Sequence, residues 1–253
     1  MHNSQDMASK NTAAKDHGFV FYFSEIRRHL IHIVIFFAII FIALAPFSKH
    51  LYNFLTIPLQ AKLPLNSHMI ATDITSTFVA PFKLIFFISF IALIPFIFYK
   101  IYYFLNTALY KNEKKALQIF FVVSVVLFYL GVLVGYIFVL PQVLNFFLGI
   151  APDAVTPMTD INKYLMFCIK LFIVIGFIFQ LPLMTVLAIY FNMIELDKLK
   201  QKRRFVIVAC FFIAMFITPP DIFSMAVAGS FMYLLFELGL LLASLFTKRH
   251  NVN

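Results

Sequence analysis

Residues Tyr164–Tyr190 read YLMFCIKLFIVIGFIFQLPLMTVLAIY, with one formal charge, Lys170, and one side-chain amide, Gln180. A helix needs roughly 20 apolar residues to cross about 30 Å of hydrocarbon, so this stretch spans a bilayer with some tilt. Working outward, five more stretches with few charges follow: His29–Phe47, Phe78–Tyr99, Ala116–Leu140, Phe205–Ile217 and Ile222–Phe246. The rest of the composition agrees. Of 253 residues, 62% are hydrophobic and 12% charged, about half the charge share of a soluble domain, and 35 phenylalanines exceed what a core of this size buries. Lipid is the solvent for such a surface, and inside lipid every backbone polar group needs an internal partner. The expectation is an all-α, polytopic protein with six transmembrane helices.

The placement of the 20 Lys and Arg residues sets the orientation. Lys10, Lys15, Arg27 and Arg28 precede the first span; Lys100, Lys111, Lys114 and Lys115 lie between the second and third; Lys198, Lys200, Lys202, Arg203 and Arg204 lie between the fourth and fifth; Lys248 and Arg249 follow the sixth. The opposite side carries Lys49, Lys62 and Lys163. This asymmetry puts both termini in the cytoplasm. It also absorbs the formal charge of +9, so nucleic acid has no place in the account. The expected division is a polar cytoplasmic tail (1–19), one membrane domain (20–247) and a short cytoplasmic tail (248–253). Arg27-Arg28 before an apolar run also resembles a signal peptide, but the run exceeds a usual h-region and five spans follow it.

Two local patterns refine the picture. Leu51, Phe54, Leu55 and Leu59 recur at helical spacing, which predicts a short amphipathic helix on the outer surface, bent at Pro58. The fifth span is only about 20 Å long before Thr218-Pro219-Pro220-Asp221, so either the membrane thins around the last hairpin or the pair is partly re-entrant. The prolines end the fifth helix and Asp221 is placed to cap the sixth.

Reactive chemistry is absent from the pattern. Cys168 and Cys210 lie far apart in apolar runs, the His29/His32 pair has no nearby carboxylate or cysteine, and Ser230 lacks the second glycine of a nucleophile elbow. No metal, cofactor or enzymatic activity is expected. Attention falls instead on polar side chains within lipid, which cost about 2.5–3.5 kcal/mol each when charged: Lys83, Lys170, Gln180 and Glu237. Lys83 is near enough to the outer end of its helix to snorkel; Lys170 can do so if its long helix is tilted, and an interhelical contact is an equal option for it. Gln180 sits two residues before Pro182, where its amide could satisfy a carbonyl freed by the proline. Glu237 must be protonated, paired or set against a polar groove. On the cytoplasmic face Glu25 and Glu113 stand among bases, as local ion pairs or as an anionic receptor for a cationic ligand.

These residues carry a resemblance. Glu25-Ile26-Arg27, Pro58-Leu59, Met69-Ile70-Ala71-Thr72-Asp73, Phe104 through Ala108-Leu109-Tyr110-Lys111-Asn112-Glu113, Phe128-Tyr129-Leu130-Gly131, and Thr218-Pro219-Pro220-Asp221 followed by Phe236-Glu237-Leu238-Gly239 resemble, in order over about residues 20–247, the TatC family of the twin-arginine protein translocase. The resemblance implies a cup-shaped six-helix bundle in a bacterial plasma membrane, or an organelle membrane of bacterial descent. It implies a receptor for twin-arginine signal peptides of folded cargo, working in an oligomeric complex with TatA-like and TatB-like single-span partners and driven by the protonmotive force. By the same resemblance Glu25, Arg27, Phe104 and Glu113 form the signal-peptide site, Met215 and Thr218 the partner-docking surface, and Pro58, Gln180, Asp221 and Glu237 structural or pathway positions. Departures from the family pattern are Tyr22-Phe23, His29, Thr107, Met225 and Gln180, the last standing where a glutamate is frequent. The competing expectation is a small-solute or ion transporter with Lys170 and Glu237 as coupling charges.

Overall fold

The computed structural model describes residues 27–61, 69–73, 75–108, 113–149, 158–191, 193–217 and 222–250, without the side chains at 77, 104–108, 113, 115, 116, 217, 223, 224 and 246–250. Helix α1 runs over residues 27–44 and passes through a 3-10 turn, Ala45–Phe47, into α2 (Ser48–Gln60). Then come α3 (Ser76–Ala108) and α4 (Glu113–Val134), followed by a π-helical segment (Gly135–Val139) and α5 (Leu140–Gly149). The later elements are α6 (Ile161–Ile178), α7 (Leu181–Tyr190), the short α8 (Leu196–Gln201), α9 (Arg203–Ile217) and α10 (Ile222–His250). Among the described residues the only β pairing is an isolated parallel bridge between Ile70 and Asp160.

Among the described residues five helical stretches are long and apolar enough to cross a membrane: Arg27–Gln60, Phe78–Tyr103, Leu117–Gly149, Ile161–Tyr190 and Met225–Leu245. The remaining span, fifth in chain order, is α9, whose 15 residues measure about 22 Å, so the short fifth span read from the sequence is a short helix in the fold. Several helices outrun their apolar stretches. The third continues from Leu140 into α5, which packs on α2.

Pro58 lies inside α2, and the helix continues past it to Gln60 with Leu59 almost fully buried. Proline lacks the N–H that would bond the carbonyl four residues back, here that of Phe54. The Tyr136 hydroxyl, from the π segment, donates to that Phe54 oxygen at 3.0 Å, and the Tyr164 hydroxyl of α6 donates to the neighbouring Leu55 oxygen at 2.9 Å. The outer helix is thus held by two phenols from two different spans, which fixes its position on the bundle.

The core divides by depth. Leu55 and Leu59 meet Leu84, Leu140, Leu144 and Leu165 near α2; α6, α9 and α10 share a middle cluster around Ile175, Ala214 and Leu235; Val186 and Ile189 of α7 pack on Phe236, Leu240 and Ala243 of α10. α6 and α4 approach closely at Gly176, where an added Cβ would stand 2.6 Å from the Phe128 ring, itself fully buried. That contact sets the spacing of the third and fourth spans.

Candidate functional site

At the outer end, Asp160 is the N-cap of α6: its Oδ1 accepts from the Lys163 N–H at 2.8 Å. Its Oδ2 accepts from the Thr72 hydroxyl at 2.6 Å and the Thr72 N–H at 3.1 Å. Backbone bonds Ile70 N–H to Thr159 O and Ile161 N–H to Ile70 O complete the splice. One carboxylate therefore ties the segment 69–73 to the start of α6. The Thr72 hydroxyl, then the Lys163 and Thr72 N–H groups, hold the Asp160 carboxyl down at about 2. A lowered pKa stabilises the fold above the ordinary carboxylate value and loses that stabilisation as pH falls through the folded value, so the splice should weaken between about pH 4 and pH 2. Asp160→Asn should lack that acid step and, at neutral pH, expose the Ile70 and Thr72 amides to hydrogen exchange roughly tenfold faster. Exchange of those amides against pH checks both. Sequence reading passed over Asp160; its signal was an Asp three residues before Lys163 at the head of the longest apolar run.

Lys83 does not snorkel freely. Its Nζ donates to Asn162 Oδ1 at 3.1 Å, two residues from the same cap. Lys170 is exposed and makes no hydrogen bond or ion pair with the described residues, so the interhelical contact weighed for it within this chain is not formed.

Gln180 is buried at the junction of α6 and α7. Its amide turns across to α4 rather than back to the carbonyl freed by Pro182. The Ser124 hydroxyl donates to Gln180 Oε1 at 2.8 Å, and Gln180 Nε2 donates to the Ser124 carbonyl at 3.1 Å. A neutral amide supplies donor and acceptor together, which a carboxylate could match only when protonated. The pair fastens the third span to the fourth at the depth of the Pro182 break.

Glu237 is paired. Its Oε1 lies 2.5 Å from Nη2 of Arg203, the first residue of α9. Since α9 is about 22 Å long and Glu237 lies about 22 Å from the start of α10, the two meet at the inner end of the short helix. The carboxylate that looked central in the sequence stands at the inner boundary of the thin side of the bundle. The transporter reading loses its coupling pair, because Glu237 is neutralised by Arg203 and Lys170 stands apart.

The cytoplasmic positions gather at one end. Arg27 is exposed at the first described turn of α1; Phe104 lies in the last turns of α3 and Glu113 is the first residue of α4, so the α3–α4 connection brings those two positions to the same end. The His29 ring packs edge-on against Tyr103 with centroids 5.9 Å apart, which places the start of α1 beside the end of α3. The side chains of Phe104 and Glu113, and the whole of Glu25, Thr218 and Asp221, lie outside the described residues. Met215 is 54% exposed on α9, in line with Val208, Phe212 and Phe216. Among the described residues there is no group of His, Cys, Asp and Glu fit to hold a metal ion. An apolar cavity of about 740 Å³ between α2, α3, α4 and α6, lined by residues such as Leu84, Ile88, Tyr129 and Phe172, turns its tyrosine hydroxyls to backbone carbonyls and offers no reactive group.

Comparison with known proteins agrees with this architecture. Residues 22–229 match the family model of the Sec-independent protein translocase protein (TatC). The chain is 39% identical over 225 residues to the Sec-independent protein translocase protein TatC of Haemophilus influenzae, covering 89% of this chain and 88% of the relative. It is 38% identical over 215 residues to the protein of that name from Escherichia coli K12, covering 85% and 83%. A crystal structure of a twin-arginine translocase receptor, TatC, superposes with a TM-score of 0.77 at 29% identity, over 88% of this chain and 98% of that one. A multi-pass bundle with these spans, matched in sequence and in fold over most of its length, belongs to the TatC family of Sec-independent protein translocase proteins.

Proposed function

We propose that this chain is the receptor subunit of a twin-arginine translocase in a bacterial plasma membrane. It takes the signal peptides of folded cargo at the end of the bundle where α1 begins and α3 turns into α4. The observation that supports this reading most is the match in fold and sequence to a solved receptor over nearly the whole chain. Residues 20–247 act as one membrane domain between polar tails. TatA-like and TatB-like single-span proteins join it in an oligomeric complex, with transport drawing on the protonmotive force and no cofactor. The open face of α9, where Met215 lies near Phe212 and Phe216, offers such a helix a surface, and the resemblance assigns Thr218 to the same partner contact.

In this reading Glu25 and Glu113 supply the anionic contacts, Phe104 packs beside them, and Arg27 orders the acidic motif. The basic cytoplasmic loops repel a dibasic ligand at long range, so attraction has to come from carboxylates at contact distance. There a planar guanidinium makes two parallel charge-assisted bonds and an ammonium does not. Glu113→Ala and Glu25→Ala should each weaken twin-arginine peptides about ten- to a hundredfold, twin-lysine peptides much less, with reversal to Lys worse than Ala. Phe104→Ala should weaken both peptides alike. Peptide titration in nanodiscs at two salt concentrations measures this. An unchanged preference for arginine over lysine in the Glu113 variant would sink the assignment.

A further inference from the structure

At the inner end of the bundle the chain turns twice, between α7 and α8 and between α8 and α9. At the first turn the N–H groups of Met193 and Ile194 both donate to the Ala188 carbonyl, at 2.9 and 3.2 Å, which pins the backbone to the end of α7. Both side chains stand outward, Met193 with 78% of its surface free. α8 then packs on α9 and α10, with Leu196 and Leu199 against the cluster of Val186, Ile189 and Phe236. At the second turn Lys202, Arg204 and Phe205 are exposed, and the Arg204 guanidinium lies 5.6 Å from the centre of the Phe205 ring. Large apolar side chains at one turn and cations beside an exposed ring at the other are the two ingredients of a contact with a lipid interface.

The charges at these turns do not cancel. From Glu195 to Arg204 the chain carries Lys198, Lys200, Lys202, Arg203 and Arg204 against Glu195 and Asp197. Lys198 and Lys200 pair with those two carboxylates, and Arg203 reaches across to Glu237 of α10. Lys202 and Arg204 are left without a carboxylate among the described residues. α9 is about 22 Å long against about 30 Å of hydrocarbon, so its two ends cannot both reach undisturbed headgroup planes, and its exposed apolar side chains begin at Phe205, directly beside Arg204. A cation at that boundary draws a phosphate to it, and the cytoplasmic leaflet carries the negative surface potential. A soluble anion would answer Lys202 and Arg204 but leave Met193, Ile194 and Phe205 in water. A phospholipid answers both.

We propose that the turns flanking α8 form a contact for acidic phospholipid of the inner leaflet, with Lys202 and Arg204 on the headgroup phosphate and Met193, Ile194 and Phe205 among the acyl chains. The contact holds the short α9 at its inner end. It lies about 16 Å along α9 from Met215 and uses no residue of the proposed signal-peptide site. It depends on the membrane placement of α9 and not on the receptor reading.

The test uses the full chain with Cys168→Ala and Cys210→Ala and a bimane label on Gln201→Cys, an exposed position next to Lys202. The protein is placed in phosphatidylcholine nanodiscs that hold a minor, equal share of either phosphatidylglycerol or phosphatidylcholine bearing a nitroxide high on its acyl chain. The phosphatidylglycerol quencher should act as though roughly three- to twentyfold more concentrated at the label than the phosphatidylcholine one. Lys202→Gln with Arg204→Gln should bring the two within about twofold. Lys49→Gln with Lys163→Gln removes the same formal charge on the outer side and should leave the preference intact. Met193→Ser with Ile194→Ser should lower quenching by both lipids alike. Thermal unfolding of every variant in phosphatidylcholine should match wild type, since the changed residues are exposed. Equal quenching by the two lipids in wild type, or a preference that survives the Lys202/Arg204 double change, overturns the proposal. So does a preference abolished by millimolar inorganic phosphate at matched ionic strength, which would assign the cations to a soluble anion. Twin-arginine peptide should bind the Lys202/Arg204 variant in phosphatidylcholine nanodiscs no more weakly than wild type, which keeps a failure here distinct from a failure of the receptor reading.

Discussion

Gly239→Leu is expected to unfold the pairing of α7 with α10 at a lower temperature than any surface change, and Gly239→Ala to lower it less. A Cβ at Gly239 would stand 2.8 Å from Pro182 Cα, 3.0 Å from the Pro182 oxygen and 3.0 Å from Thr185 Cβ. Two of these three atoms are backbone and cannot swing aside. Relief requires α10 to back away from α7, and the packing of Phe236, Leu240 and Ala243 on Val186 and Ile189 opens with it. Overpacking of this kind costs about 1–3 kcal/mol for a small group and more for a branched one. Alanine recovers up to about 1 kcal/mol of helix propensity, so its net loss is the smaller. Gly149→Ala is the control: a Cβ there meets nothing within 4 Å, so that variant should unfold no earlier than wild type. Thermal unfolding in detergent, followed by helical circular dichroism, reads all three. A Gly239→Leu protein as stable as the Gly149→Ala protein would show that the two helices do not depend on this contact.

The second large effect concerns the Arg203–Glu237 pair. Arg203 and Glu237 are 42% and 29% exposed, but Arg203 Nε and Glu237 Oε2 are shut away without partners among the described residues. Loss of one partner therefore strands the other, and the two losses should be unequal. Arg203→Leu leaves a short carboxylate facing apolar neighbours and should cost about 2–4 kcal/mol; Glu237→Leu leaves a long guanidinium free to reach the cytoplasm and should cost about 1–2. Glu237→Gln keeps an acceptor for the guanidinium and should be the mildest. The double variant should be less damaged than the sum of the single ones by about 0.5–3 kcal/mol, and exchange of the two residues should recover part of the stability. Additive single losses in an unfolding cycle would mean that the pair contributes nothing as a pair.

Much of the architecture was legible beforehand because a bilayer imposes it. Apolar length and the bias of Lys and Arg toward alternate loops are properties of sequence order alone, and they lead to six spans and an expected orientation without any packing information. The brevity of the fifth span was equally plain, since 15 helical residues cannot be stretched. The polar residues were less transparent. At Pro58 the sequence shows only the lost N–H; the fold supplies Tyr136 and Tyr164 from distant spans to the Phe54 and Leu55 carbonyls.

Gln180, Glu237 and Lys170 mark the line between what sequence determined about this protein and what tertiary structure decided. From sequence, each had to be costly in lipid, and each was a place where something polar must be answered. Which group answers is a matter of depth and rotation about the helix axis. Gln180 faces Ser124 because Pro182 breaks the fourth span beside the third; Glu237 reaches Arg203 because a short α9 ends level with the middle of α10; Lys170 looks away from both because it lies on the exposed side of α6, opposite the buried Cys168 and Phe172. Burial in a membrane is written in composition and order, whereas partnership depends on angles between helices, which only the packed chain sets.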